Sequence, residues 1–257
     1  MFKFIDINQN TDEWFQLRCG KLTSSKLGVI MAVNNEYLVV SLGKDTFGIA
    51  NTKTRSVMKA RYTNKIEADG ALMKMKSRDL GKAFTDYAKK YAVNIAIEQI
   101  TGSPISSDYT NADMQRGHDQ EPVARMLYED ETFSEVTNGG FWESDFIGCS
   151  PDGMVDDNGA IEIKSVITSV HYANVKRGNV DPAYRWQCIG NLKFTGSDWL
   201  DFISYCEEFP EGMRLFTYRL NKADLSEEFK MLDDRIELFK TLVDETRENI
   251  LASTYFN

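Results

Sequence analysis

The chain has 257 residues, enough for one well-packed domain, with 42% hydrophobic residues, 27% charged residues and a net charge of −9. No apolar run approaches the ~20 residues that span a bilayer, and Met1-Phe2-Lys3-Phe4-Ile5-Asp6 lacks the apolar core of an export signal, so the expectation is a cytoplasmic protein that does not engage a membrane. Four scattered cysteines without a C-x-x-C pair, and histidines only at 118 and 171, argue against zinc or iron–sulfur chemistry and fit reduced thiols.

In chain order, Asn10-Thr11-Asp12-Glu13 predicts a helix start with acidic residues in the first turn, and Thr23-Ser24-Ser25 offers a second N-cap before Leu27 and Ile30. From about 34 to 81 the pattern is poor, broken by Gly43, Gly48 and Gly70, and predicts an insertion. Phe84, Tyr87, Ala88, Tyr91 and Ile95 recur at helical spacing. A further helix is predicted from Asn111 to Glu129, kinked or restarted at Pro122.

The period then changes to two. Strands are predicted over Phe133–Trp142, Phe146–Cys149 and Ala160–Ile167, with Asn158-Gly159 as a hairpin turn. Asp181-Pro182 opens a helix through Asn191, two more strands span Trp199–Cys206 and Met213–Leu220, and a long amphipathic helix occupies 224–257. The sum is a single α/β domain over 1–257, with a central mixed β-sheet flanked by helices and an inserted basic segment. Residues 44–90 carry 12 basic and 5 acidic side chains, a local +7 that leaves −16 for the rest. Such a stretch suits a phosphate-facing surface, although a solvated helix face is the commoner outcome.

The informative segment is Ser150-Pro151-Asp152-Gly153 followed by Ile161-Glu162-Ile163-Lys164. Alternate residues of a strand share a face, so Glu162 and Lys164 project together while Ile161 and Ile163 enter the core. The Asn158-Gly159 turn folds this strand back towards Asp152, bringing two carboxylates and an ammonium together. That cluster suits magnesium, a hard cation that takes oxygen ligands and keeps several waters. An E-x-K on an apolar strand alone would read as an edge ion pair.

P-D-x9-E-x-K across a hairpin is the pattern of the PD-(D/E)xK nuclease superfamily, and other segments narrow it. Trp14 to Gly20 with Leu22 to Ser25, Gly117 to Glu121 with Ala124-Arg125, Cys149 to Gly153, and Ala183 to Gln187 resemble motifs of the lambda-exonuclease-like, YqaJ-type family of phage recombination exonucleases. The resemblance implies a PD-(D/E)xK nuclease-like fold. It also implies a Mg2+ site, with Mn2+ able to substitute, formed by Glu121, Asp152, Glu162 and the Ile163 backbone carbonyl. Lys164 would stand beside the attacking water, Gln187 and Tyr184 would line the cleft, and Arg18, Ser25 and Ser150 would gather a terminal 5′-phosphate.

The family degrades one strand of duplex DNA from 5′ to 3′ for recombination by strand annealing. The implied partners are double-stranded DNA ends, a single-strand-annealing protein and two further copies in a homotrimeric ring, in the cytoplasm of a bacterial host if the chain is phage-encoded. Where family members carry a further phosphate-binding arginine, this chain has Thr168-Ser169-Val170-His171. An endonuclease of restriction or repair type, or a non-catalytic DNA-binding protein on the same fold, shares the segment around Asp152. Only Arg18 and Ser25 favour end recognition over the endonuclease.

Overall fold

A computed structural model describes residues 2–32, 37–52, 54–76, 83–105 and 112–253, with the backbone alone at 76, 112–114 and 118. Parts of the expected insertion, Lys53 of the basic stretch, Asn111, the His118 side chain and 254–257 of the expected final helix lie outside the described residues. In chain order the elements begin with β1 (Lys3–Ile5), α1 (Asp12–Arg18), β2 (Leu22–Thr23), α2 (Leu27–Met31), β3 (Tyr37–Gly43) and β4 (Thr46–Asn51). Next come α3 (Lys65–Lys76), α4 (Asp86–Thr101), α5 (Ala112–Thr132), β5 (Val136–Thr137), β6 (Phe141–Glu143) and β7 (Ile147–Cys149). The last are β8 (Gly153–Val155), β9 (Gly159–Ser165), α6 (Thr168–Arg177), α7 (Arg185–Thr195), β10 (Trp199–Tyr205), β11 (Leu215–Asn221) and α8 (Ser226–Leu251).

Contacts divide the chain into two compact units, one of residues 1–28 and 102–226, the other of 29–101 and 227–257. The first holds a mixed five-stranded sheet in the order β11-β10-β9-β8-β5, with β9 parallel to β10 and the other pairs antiparallel. It also holds a four-stranded sheet, β1-β6-β7-β2. This is the expected α/β architecture of mixed sheet and flanking helices. The two faces of β9 part as alternation requires. Ile161 and Ile163 pack with Ala124 and Tyr128 of α5 in the core, and Glu162 points the other way, towards α7.

Several local expectations needed adjustment. The run 133–142 is not one strand but β5 and β6, in different sheets. Gly140 turns the chain with φ +57°, and a Cβ on Gly139 would sit 1.8 Å from the Pro151 carbonyl oxygen. Only glycine admits that approach, which seats the segment before Asp152. Pro122 lies inside α5 without ending it. Asp181 and Pro182 form a turn ahead of α7, which starts at Arg185 and runs on to Thr195. Thr11 caps α1 as expected, accepting from the Trp14 N–H, whereas Thr23 makes no cap bond.

The second unit contains the β3–β4 hairpin, α3, α4 and α8. Leu232, Ile236, Phe239 and Val243 of α8 are buried at helical spacing, and Phe239 meets the rings of Phe84 and Tyr91. Arg235 on the same stripe is only 2% exposed. Its guanidinium donates to the backbone carbonyls of Ile30, Ala32 and Ala83 and lies 3.9 Å from the Phe84 ring. Burial lowers its pKa to about 10.

Candidate metal and phosphate site

The first unit carries a cleft of about 570 Å3 lined by residues from α1, α5, β9, α7 and the 150–152 connection. Asp152 stands where β7 hands over to β8. Its N–H donates to the Ile161 carbonyl at 3.0 Å, and its Oδ2 accepts from the Ile163 N–H at 2.6 Å. Within a strand, one residue's N–H and C=O point to the same side. The Ile163 carbonyl therefore opens on the Asp152 edge, beyond the end of β8. Glu162 is fully buried, and Lys164, 22% exposed, meets its Oε1 at 2.5 Å. Gln187 donates to the same oxygen at 2.5 Å, and the Lys164 ammonium lies 5.3 Å from the centre of the Tyr184 ring.

The electrostatics are those of crowded carboxylates in a dry place. Burial, then repulsion from Asp152, pushes Glu121 up to about 7, against the pull of Lys164 and Arg125. Burial and Asp152 likewise push Glu162 up to about 8, with Lys164 opposing. Burial raises Asp152, while Lys164 and the Ile163 N–H hold it down. Burial works against the Lys164 charge, but Glu162 and Asp152 outweigh it and keep this lysine a cation. The thiols of Cys149 and Cys188 are driven up by burial and by Glu162, so they stay neutral and offer no thiolate ligand.

Among the described residues, no three His, Cys, Asp or Glu side chains are gathered at a spacing that holds one ion. Glu162 instead gives both oxygens to neighbouring donors. The chemistry of the set still fits a hard cation. It offers buried oxygen donors whose mutual repulsion a divalent charge would relieve, beside a backbone carbonyl at a strand edge.

The residues expected to gather phosphate occupy the same cleft. Arg18 lies 4.1 Å from the Trp14 ring, and its Nη2 stands 3.4 Å from the hydroxyls of both Thr23 and Ser25. Trp14 Nε1 donates to Ser150 Oγ at 2.8 Å, so the Ser150 hydroxyl keeps its own hydrogen to give. The run 168–171 brings no arginine or lysine to the cleft. His171 is fully buried between Ser204 Oγ and the Met213 carbonyl, while Ile167 and Val170 line the cleft.

Some lining residues escaped the sequence reading. Arg116 comes from the first turns of α5, and Gln9 pins the Pro151 carbonyl at 3.0 Å. Asn191 donates to Glu162 Oε2 at 2.7 Å. Its position one helical turn beyond Gln187 is the signal that would have found it.

Three comparisons bear on this arrangement. Residues 13–198 match a family described as the YqaJ-like viral recombinase domain. The alkaline exonuclease LHK-Exo of Laribacter hongkongensis is 26% identical, with 94% of this chain and 98% of that chain covered and a TM-score of 0.63. Its complex with dAMP gives the same identity and coverage with a TM-score of 0.64. A phage-related exonuclease of Haemophilus somnus 129PT, at 15% identity, covers 90% of this chain and 96% of that one, with a TM-score of 0.58 that speaks for the fold. A comparison with curated proteins finds no match.

Proposed function

The chain belongs to the YqaJ-like viral recombinase domain family, and from that premise we propose that it is a Mg2+-dependent exonuclease acting on linear double-stranded DNA. It removes one strand from 5′ to 3′ and exposes the other for a single-strand-annealing protein, in the cytoplasm of a bacterial host and as a homotrimeric ring. The observation that carries this reading is the convergence of Asp152, Glu162 and Lys164 on one hairpin, in a cleft that also contains Glu121, Arg18 and Ser25. LHK-Exo has been obtained with dAMP, a molecule of the class that an exonuclease releases from DNA.

Asp152, Glu162, Glu121 and the Ile163 carbonyl would hold the metal. When bound, a divalent cation supplies a Lewis acid for the scissile phosphate and lowers the pKa of a coordinated water. Lys164, kept charged by Glu162, donates to the attacking water or to a phosphate oxygen where negative charge develops. Gln187 holds Glu162 Oε1, and Tyr184 walls the Lys164 side. Arg18 presents a forked donor to a terminal phosphate, with Ser25 and Ser150 supplying hydroxyls.

Digestion of linear and covalently closed duplex DNA in the presence of Mg2+ tests the proposal. Nucleotide release confined to linear DNA is expected. Cutting of the closed form would favour an endonuclease, and an inert protein would favour a DNA-binding role.

A further inference from the structure

Helix α7 presents Gln187 and Asn191 on one face, one turn apart, and each amide takes a different oxygen of Glu162. Asn191 is fully buried, and its own Oδ1 accepts no hydrogen bond from the described residues. Buried polar atoms without a partner are few in folded proteins, so each calls for a reason. Space-filling gives none, because the neighbouring buried positions Ile189, Leu192 and Phe194 show that this part of α7 fills space with apolar groups. The amide orientation follows from the carboxylate. Turned over, Asn191 would set its carbonyl against the ionised carboxylate that a cation requires of Glu162, acceptor against acceptor.

We propose that Asn191 is a positioning residue that fixes the carboxylate plane of Glu162 for a divalent cation. This rests on the metal reading above. With Gln187 and Lys164 on Oε1 alone, Glu162 could swing about that oxygen. The Asn191 bond to Oε2 removes this freedom, so the group meets a cation in one orientation. Partners of this kind, one shell behind the ligands, set metal affinity without touching the metal.

The test is an equilibrium titration with Mn2+ of the wild-type chain and of Asn191→Leu, which keeps the branch at Cγ, adds some bulk and loses the donor. Thermal melts in EDTA report folding, and steady-state kinetics on linear duplex accompany the titration. The expected result is Mn2+ binding weakened about ten- to a hundred-fold, with kcat lowered and KM for DNA ends unchanged. Mn2+ affinity within about two-fold of wild type would overturn the proposal and leave Asn191 a core residue. If Asn191→Leu does not fold, Asn191→Ser removes the reach to Glu162 without apolar bulk, and the same titration decides. A wild type that takes up no Mn2+ overturns the metal reading itself, whereas equal uptake by wild type and variant overturns only the role of Asn191.

Discussion

At the scale of single residues, the site is a set of groups that hold one another. Asp152 braces the Ile163 N–H, and Glu162 is tied to Lys164, Gln187 and Asn191. Asp152→Ala, Glu162→Ala and Lys164→Ala are each expected to abolish phosphodiester cleavage in folded protein. The first two should also weaken divalent-metal binding, and Lys164→Ala should leave most of it. Wild-type turnover in the purified variants would remove the site assignment. Arg18 supports a separate expectation about DNA ends. A charge-assisted hydrogen bond contributes about 1.5–3 kcal/mol, or roughly ten- to a hundred-fold in an equilibrium. Duplexes with a 5′-phosphate should therefore be degraded faster than those with a 5′-hydroxyl, and Arg18→Ala should erase most of the difference. Equal initial rates below saturation on the two wild-type substrates would detach Arg18 from end recognition and leave the hydrolytic site untouched.

At the scale of elements, three separate pieces of chain bring carboxylates together: α5 with Glu121, the connection into β8 with Asp152, and β9 with Glu162. Their raised pKa values have a consequence for the metal-free protein. A carboxyl raised in the folded state contributes stability that is complete below its ordinary pKa and is lost as pH rises through the folded value. For Glu121 and Glu162 that window runs from the usual carboxylate range up to about 7 and about 8. One unit is worth about 1.4 kcal/mol, so the Glu121 shift sets a ceiling of about 3 kcal/mol. In EDTA, Glu121→Gln should gain melting temperature relative to wild type as pH rises from about 5 to 8, and Mg2+ should narrow the gap. A difference that stays flat with pH would place Glu121 outside the cluster.

Much of this was legible in the sequence because it is local. Period-two alternation set Ile161 and Ile163 against Glu162, and Asn158-Gly159 announced the turn between β8 and β9. What the sequence hid is contact between distant segments. Gly139 is defined by a carbonyl twelve residues away at Pro151, and Asn191 acquires its partner only when α7 lies across β9. The cluster of carboxylates was foreseen as a ready ligand set, yet Glu162 spends both oxygens on nearby donors.

At the scale of the whole molecule, charge is unevenly spread. The −9 total hides the +7 of residues 44–90. Within the stretch, the described cations differ in what they have left to give. Lys65 is paired with Asp69 at 2.6 Å, and Arg61 folds back on the carbonyls of Met58 and Ala60. Arg55 and Lys59 are exposed, with no ion-pair partner among the described residues. Replacing Arg55 and Lys59 should weaken duplex binding and flatten the salt dependence by about one unit of slope per lost phosphate contact. An unaltered slope would make the stretch a solvated surface. Arg235 has a different kind of reach. The carbonyls it satisfies at Ile30, Ala32 and Ala83 are synthesised early, and the guanidinium leaves the ribosome some 150 residues after the last of them. Until then those carbonyls lack the donor that the folded second unit gives them. A premature stop that spares every residue of the metal site, yet falls before Arg235, would leave those carbonyls without their donor.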